Sequence, residues 1–357
     1  MSGLDSYYTP SPLADKLIRL IAATQVKRAI DFCVGDGDLL KAVARSYEGV
    51  ELYGTDISDD AINKLSSDYP SWQLAQCDFC DNELLERVSF LKGKKFDLIV
   101  LNPPFTCKGS TIEYLQFENQ EFKVSTAMHF LMRALRYLDK DGGLYAILPI
   151  SCVYSEKDRK AWEYLKAYYN ACILDEPDRV YFTKNCSPNI VLVYAGRYPV
   201  KEWNPKKPTD FTSLPVTDII RGCVRMQHPS YSRSSKAVKL IHTTNIQKCA
   251  LVHLKRILPH TALQLDGCGV VIPRVCNPNP NKIAILDGTS TYVLSDCVIV
   301  LRTTTMQEAE QVRQYILDNW SDFVTIYKGT GAQYTTLARV KEIFGKSVNT
   351  NKKDSKL

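Results

Sequence analysis

Asn102-Pro103-Pro104-Phe105 brings a side-chain amide, a peptide carbonyl and an aromatic ring together at the end of an apolar run. That run, Phe96-Asp97-Leu98-Ile99-Val100-Leu101, has the length of a buried strand. The two prolines stop it, because proline lacks the N–H that a ladder needs. The Asn102 oxygen and the Pro103 carbonyl can both accept from one amino group, and a ring beside them stacks on a planar base. The chemistry this suits is alkylation of the exocyclic nitrogen of a nucleobase. Taken alone, the tetrapeptide also reads as an ordinary strand-to-loop break.

Three acidic positions precede it. Asp31-Phe-Cys-Val-Gly35-Asp-Gly37 follows an apolar run and opens a helix; its glycines let a ligand approach the backbone, and the helix start offers unpaired N–H groups. The third glycine of the dinucleotide fingerprint is missing. Asp56 ends a second apolar run, where a carboxylate can accept both hydroxyls of a ribose, or cap the next helix together with Ser58. Asp78 ends a third, beside Phe79, where the carboxylate can accept from an adenine amino group while the ring stacks, or simply close a turn. Together these positions fit an adenosine bearing a sulfonium-methionine tail.

Positioning them requires alternating strands and helices. Ser11-Pro12 reads as an N-cap and first turn, with Leu13, Leu17, Leu20 and Ile21 at helical spacing. Strands are predicted at 29–34, 51–55, 72–77, 96–101, 144–148 and 189–194, with helices at 38–47, 58–67 and 125–138. Gly142-Gly143 reads as punctuation before the fifth strand. This alternation predicts an α/β, Rossmann-like, doubly wound sheet with sites at the C-terminal strand ends. The composition changes near Tyr198, so the expected domains are 1–198, a linker at 199–215 rich in Pro, Lys and Thr, a smaller domain at 216–345 and a disordered tail at 346–357. The second domain reads as mainly irregular β with one helix at 306–320.

The ordered motifs resemble the gamma-type DNA adenine-N6 methyltransferases over roughly residues 5 to 195. Tyr7-Tyr8-Thr9-Pro10 matches their N-terminal tyrosine-threonine-proline, and Asp31 to Gly37, Asp56, Asp78-Phe79 and Asn102 to Phe105 follow in order. The resemblance implies that Tyr8, Thr9 and Pro10 border the methionine part of S-adenosylmethionine, with Gly35 and Gly37 beneath it. Asp56 would hold the ribose and Asp78 the adenine. Asn102 and the Pro103 carbonyl would accept from the target N6 amino group, while Phe105 stacks on the flipped base. Phe182, in Arg179-Val-Tyr-Phe182-Thr-Lys-Asn, matches the later base-binding motif approximately, with Tyr181 as the alternative and a core aromatic as the bland reading. Lys328-Gly329-Thr-Gly331-Ala-Gln333 looks like the glycine loop near such enzymes' ends; Lys328 and Arg339 could neutralise phosphates, and Arg274, Gln264 and Gln333 could address base edges. Arg221, Arg225, Arg233, Lys236 and Lys239 form another basic stretch, readable as solvated surface.

The resemblance thus implies a site-specific, adenine-specific DNA methyltransferase acting on double-stranded DNA, and nothing in the sequence demands more than a monomer. A cognate restriction endonuclease is the companion found with enzymes of this type. Methylation of a protein glutamine or of RNA adenine fits the same Asn-Pro-Pro chemistry. A non-catalytic DNA-binding module would have no use for the acidic cofactor positions.

Composition sets broader limits. The 357 residues suit two domains, and a net charge of +6 with pI near 8.6 permits a polyanionic partner without demanding one. No apolar stretch approaches a membrane span, and Met1 to Asp5 lacks a signal peptide's pattern, so a cytoplasmic location is expected. The twelve cysteines are scattered through apolar runs, which reads as a reduced interior. Cys77 and Cys80 form the single CxxC, without the partners zinc requires. The terminal Ser355-Lys356-Leu357 matches a peroxisomal address but also arises in any Ser- and Lys-rich tail.

Overall fold

The computed structural model describes residues 8–104, 112–182, 187–203, 209–227, 231–259, 264–329 and 333–346. The chain divides into two compact units, Met1–Pro205 and Lys206–Leu357. No described helix is long and apolar enough to cross a membrane.

The first unit runs α1 (Ser11–Arg19), β1 (Arg28–Asp31), α2 (Asp38–Ser46), β2 (Glu51–Asp56), α3 (Asp59–Asp68), β3 (Gln73–Gln76), α4 (Asn82–Arg87), β4 (Phe96–Leu101), β5 (Glu113–Phe117), β6 (Gln120–Val124), α5 (Thr126–Ala134), β7 (Leu138–Pro149), α6 (Ser151–Tyr154), α7 (Arg159–Tyr169), β8 (Cys172–Ile173), β9 (Asp178–Arg179) and β10 (Asn189–Gly196). The sheet order is β3-β2-β1-β4-β7-β10-β8, with β9 beside β10. Strands β3, β2, β1, β4 and β7 are mutually parallel, whereas β10 is antiparallel to β7. Buried apolar clusters cover both faces, one built on Phe32, Phe79, Phe96 and Phe122, the other on Leu17, Leu40, Val100 and Ile147. This is the α/β, Rossmann-like architecture expected.

Chain order reverses at β1, which has β2 on one side and β4 on the other. In open parallel sheets such a switch point leaves a crevice beyond the strands' C-terminal ends. Asp31 closes β1, and Asn102 follows directly on β4.

Several local readings are revised. Pro10, not Ser11, caps α1; Ser11 is its first residue and donates to Asp38 Oδ1 at 3.2 Å. Gly142-Gly143 lies inside β7 rather than before it. A Cβ on Gly142 would stand 2.8 Å from the Phe96 carbonyl oxygen, beside the register irregularity between Phe96 and Leu98. The glycine is there for close backbone approach, not for a turn. The β5–β6 hairpin was not anticipated, although Leu115, Phe117, Phe122 and Val124 alternate as a half-buried ribbon does.

The second unit holds β11 (Asp218–Arg221), β12 (Val238–Ile241), β13 (Ile246–Gln247), β14 (Ala250–Leu251), β15 (Lys255–Ile257), β16 (Gln264–Leu265), β17 (Cys268–Pro273), β18 (Ala284–Asp287), β19 (Tyr292–Leu294), β20 (Val298–Arg302), α8 (Met306–Asp318), α9 (Trp320–Phe323) and α10 (Leu337–Ile343). It is more regular than expected: one sheet has the order β11-β20-β17-β18, a second has β15-β12-β19-β16, and β13–β14 is a short ribbon. Helix α8 starts with a reciprocal cap between Thr305 and Glu308 and buries Ala309, Val312 and Ile316 against Ile272 and Leu301.

The stretch read as a linker at 199–215 belongs partly to each unit. Trp203 N–H donates to the Ile173 carbonyl at 2.8 Å, while Phe211 and Leu214 are buried in the second unit's core. The Pro-, Lys- and Thr-rich composition concealed these two apolar anchors. Of the tail read as disordered, Lys346 donates to the Lys341 carbonyl behind α10, and 347–357 lie outside the described residues.

Candidate active site

Asp31 is 1% exposed at the end of β1, and its Oδ1 accepts from Cys33 N–H at 2.9 Å. Burial raises its carboxyl to about 8, against the lowering effect of the Cys33 N–H, and nearby Asp56 adds to the rise. The Cys33 thiol is pushed up as well, first by burial and then by Asp31.

The chain then turns through Gly35 at φ +50° and Gly37 at φ +80°, the latter capping α2. Both conformations are left-handed, which only glycine adopts without strain. A Cβ on Gly35 would come within 2.9 Å of the Tyr8 ring; one on Gly37 would meet Leu65 at 2.9 Å and Trp72 at 3.3 Å. The Tyr-Thr-Pro segment is thus folded onto the glycine loop, a juxtaposition that sequence spacing alone does not reveal.

Asp56, at the end of β2, holds this loop. Its Oδ2 accepts from Gly35 N–H at 2.8 Å and its Oδ1 from Ser58 N–H at 2.9 Å. Ser58 in turn caps α3, accepting from Ala61 N–H at 3.3 Å. A carboxylate has about four acceptor positions, so two bonds to the backbone leave capacity for two hydroxyls.

Asn102 is 9% exposed. Its Nδ2 donates to Thr9 Oγ1 at 3.0 Å, across 93 residues of sequence. With the nitrogen directed at Thr9, the opposite end of the amide is the acceptor end. Pro103 is buried and Pro104 half-buried. Phe105 lies outside the described residues. Thr9 therefore orients Asn102, whereas the motif resemblance set it beside the methionine tail. Pro10 starts α1, its carbonyl accepting from Leu13 and Ala14 N–H.

One stacking expectation is corrected. Phe79 is 2% exposed and stacks on Phe32 at 4.2 Å between centroids, so its ring serves the core. Asp78 is half-buried beside it, one oxygen accepting from Cys80 N–H at 2.9 Å. Phe182 packs against the clusters on both faces of the sheet, whereas Tyr181 is 71% exposed. Tyr181 is the more exposed of the two rings, and Phe182 is half-buried.

Arg133 escaped the sequence reading. It is buried on α5, donates to Asn82 Oδ1 at 2.9 Å and sits 5.5 Å from the Phe79 ring centre. A lone arginine in the apolar run Met128 to Ala134 was the available signal. A cavity of about 340 Å³ between α4 and α5 is lined by Arg133, Lys92, Arg136 and Glu86, and none of the crevice residues line it.

In the second unit, the structure gathers most of the residues read as nucleic-acid contacts. Tyr334 bridges to both Lys328 and Val275, and Thr335 N–H donates to the Arg274 carbonyl at 2.8 Å. Arg339 lies 5.4 Å from the Tyr334 ring centre, and the Gln333 carbonyl accepts from Cys276 N–H. Gly329 is buried; Gly331 lies outside the described residues. Burial, then Arg339, lowers Lys328 to about 8. Arg274 commits its Nε to the Asp296 carbonyl at 2.6 Å, which limits its reach toward a base. Gln264 sits on β16, in the other sheet.

Residues 13–166 match the family model of the methyltransferase small domain. The rRNA N(6)-adenosine-methyltransferase metl-5 of Caenorhabditis elegans is 31% identical over 118 residues, covering 32% of this chain and 55% of that protein. The release factor glutamine methyltransferase of Clostridium acetobutylicum is 31% identical over 94 residues, covering 26% and 33%. The ribosomal protein uL3 glutamine methyltransferase of Francisella tularensis is 29% identical over 134 residues, covering 33% and 40%. The chain spans about half or less of the length of these relatives. Among solved structures, a type I restriction-modification methyltransferase subunit from Streptococcus thermophilus is similar at a TM-score of 0.41 and 17% identity, covering 54% of this chain and 45% of that one.

S-adenosylmethionine is the cofactor that the matched domain implies. The crevice residues fit it: a left-handed glycine turn with Gly35 under Tyr8, a half-satisfied carboxylate at Asp56, and a buried acid at Asp31.

Proposed function

We propose that this protein methylates the N6 amino group of adenine in double-stranded DNA, with the first unit catalytic and the second unit reading the target. The observation that carries the reading is the Asn102–Thr9 pair at the end of β4, at the sheet's switch point. When bound, S-adenosylmethionine supplies an electrophilic methyl on sulfur.

The chain's own residues do the rest. Gly35 and Gly37 turn the loop beneath the cofactor, and Asp56 both holds that loop and offers acceptors to the ribose. Asn102 Oδ1 and the Pro103 carbonyl accept from the target amino group, drawing its lone pair out of conjugation with the ring. No strong base is needed, because the amine sheds its proton after attack. Reaching a paired adenine requires flipping it from the stack, at about a few kcal/mol. Phe105, with Phe182 or the exposed Tyr181, would hold it.

Methylation of an RNA adenine is the second reading, favoured by the likeness to metl-5. The test is incubation of purified protein and labelled S-adenosylmethionine with duplex DNA and structured RNA, followed by nucleoside analysis. N6-methyladenine in DNA supports the first reading, and label in RNA alone replaces it with the second. Asn102→Ala should abolish transfer while retaining cofactor binding; retained turnover would refute the role assigned to Asn102.

A further inference from the structure

The stretch between Asp218 and Asp266 contains 47 residues and no aspartate or glutamate. It carries eight cations: Arg221, Arg225, Arg233, Lys236, Lys239, Lys248, Lys255 and Arg256. The whole chain is net +6, so the other 310 residues sum to −2. The protein's excess positive charge therefore resides in this one segment.

All eight side chains are exposed. Ion pairs elsewhere join Lys16 to Asp175, Arg45 to Asp15 and Lys64 to Asp36, but none of the eight pairs with a carboxylate among the described residues. Lys239 stands directly opposite Arg256 across the β12–β15 pair. Like charges at such positions repel and are destabilising in the free protein. Lys255 lies 4.4 Å from the ring centre of Tyr231, which is 47% exposed.

We infer that this segment binds the phosphodiester backbone of a nucleic acid, in addition to the Lys328–Arg339 cluster. The inference deepens the reading of the protein as a nucleic-acid methyltransferase and rests on it for the choice of polyanion. The cations spread over strands and turns rather than converging on a cavity, which suits a polymer of repeated phosphates better than a single small anion. Paired strands stand about 4.8 Å apart, and duplex DNA presents one charge per roughly 1.7 Å of axis. An exposed ring under a cation adds a stacking platform beside a phosphate contact. Lysines on an edge strand such as β15 also hinder strand addition by another chain, and that competing role leaves nucleic-acid affinity untouched.

The test uses the full chain carrying Lys236→Gln, Lys239→Gln and Lys255→Gln together, with a labelled DNA duplex of about 30 base pairs titrated between about 50 and 300 mM salt. Arg256 is kept, because its Nε donates to the Ala237 carbonyl at 2.8 Å. If each lysine meets one phosphate, the slope of log affinity against log salt should fall by about 2 to 3, and affinity near 0.1 M salt by on the order of 100-fold. S-adenosylmethionine binding should persist. Unchanged affinity and slope would overturn the inference, as would an equal loss in a control with Lys123, Lys140 and Lys201 changed to Gln. Wild-type protein that binds phosphatidylserine vesicles but not duplex would overturn it too. Binding lost in the triple variant while wild type yields no N6-methyladenine would leave this surface standing and refute the catalytic reading instead.

Discussion

Thr9→Val isolates the contact that orients the Asn102 amide. Valine matches threonine in shape but cannot accept a hydrogen bond, so Nδ2 of a residue that is 9% exposed loses its acceptor at 3.0 Å. Removing the acceptor of a buried donor costs about 1–3 kcal/mol. The amide can recover part of that by rotating toward another partner, which takes Oδ1 away from the position where it would accept from the substrate. A misorientation costing the same amount lowers the single-turnover methyl-transfer rate by about 5- to 150-fold. It should also lower the melting temperature of the first unit by about 2–4 °C per kcal/mol. Cofactor affinity should change little, because the substitution leaves Gly35, Gly37 and Asp56 untouched. Thr9→Ser restores the acceptor and should recover most of both losses. The assays are rapid-quench transfer with labelled S-adenosylmethionine, calorimetric cofactor binding and thermal melting. A Thr9→Val enzyme with the wild-type rate and melting temperature would refute the orienting role. So would a variant whose loss lies wholly in cofactor affinity.

Three further outcomes are expected. Gly37→Ala forces an L-residue to φ +80° with its Cβ 2.9 Å from Leu65; the strain of about 1–2 kcal/mol should lower the melting temperature and weaken cofactor binding together, and an unchanged melting curve would contradict the packing described. Asp31 keeps its proton up to about 8 in the folded state but releases it near 3.8 when unfolded, so its contribution to stability is full below 3.8 and lost as pH rises through 8. Urea melts should show wild type losing ~1.4 kcal/mol per pH unit between pH 5 and 7 relative to Asp31→Asn, and parallel pH profiles would argue against a buried protonated acid. Lys328, lowered to about 8, is charged below that pH and neutral above it. Duplex affinity should fall by up to about 8-fold as pH rises through the range where it titrates; Lys328→Arg should remove the dependence, and a pH-independent wild type would take Lys328 out of the interface.

The sequence by itself determined the α/β architecture and which residues stand at the C-terminal ends of its strands. Asp31, Asp56, Asn102 and the two glycines were legible because each sits where a short apolar run ends, and strand length, proline and glycine are local signals. Tertiary structure decided what those residues touch. The pairing of Thr9 with Asn102 and the seating of Tyr8 over Gly35 depend on α1 docking beside the sheet, which no window of sequence encodes. Phe79 was misread because an aromatic next to a strand-end carboxylate looks the same whether it faces a ligand or, as here, Phe32. Gly142-Gly143 looked like a turn because only the neighbouring strand β4, pressing its carbonyls within 2.8 Å, explains glycine in the middle of β7. In the second unit, short strands pair with partners distant in sequence, so their order carried no periodic signal. Composition alone marks the segment between Asp218 and Asp266 as basic, but only the register shows Lys239 set directly opposite Arg256 across the β12–β15 pair.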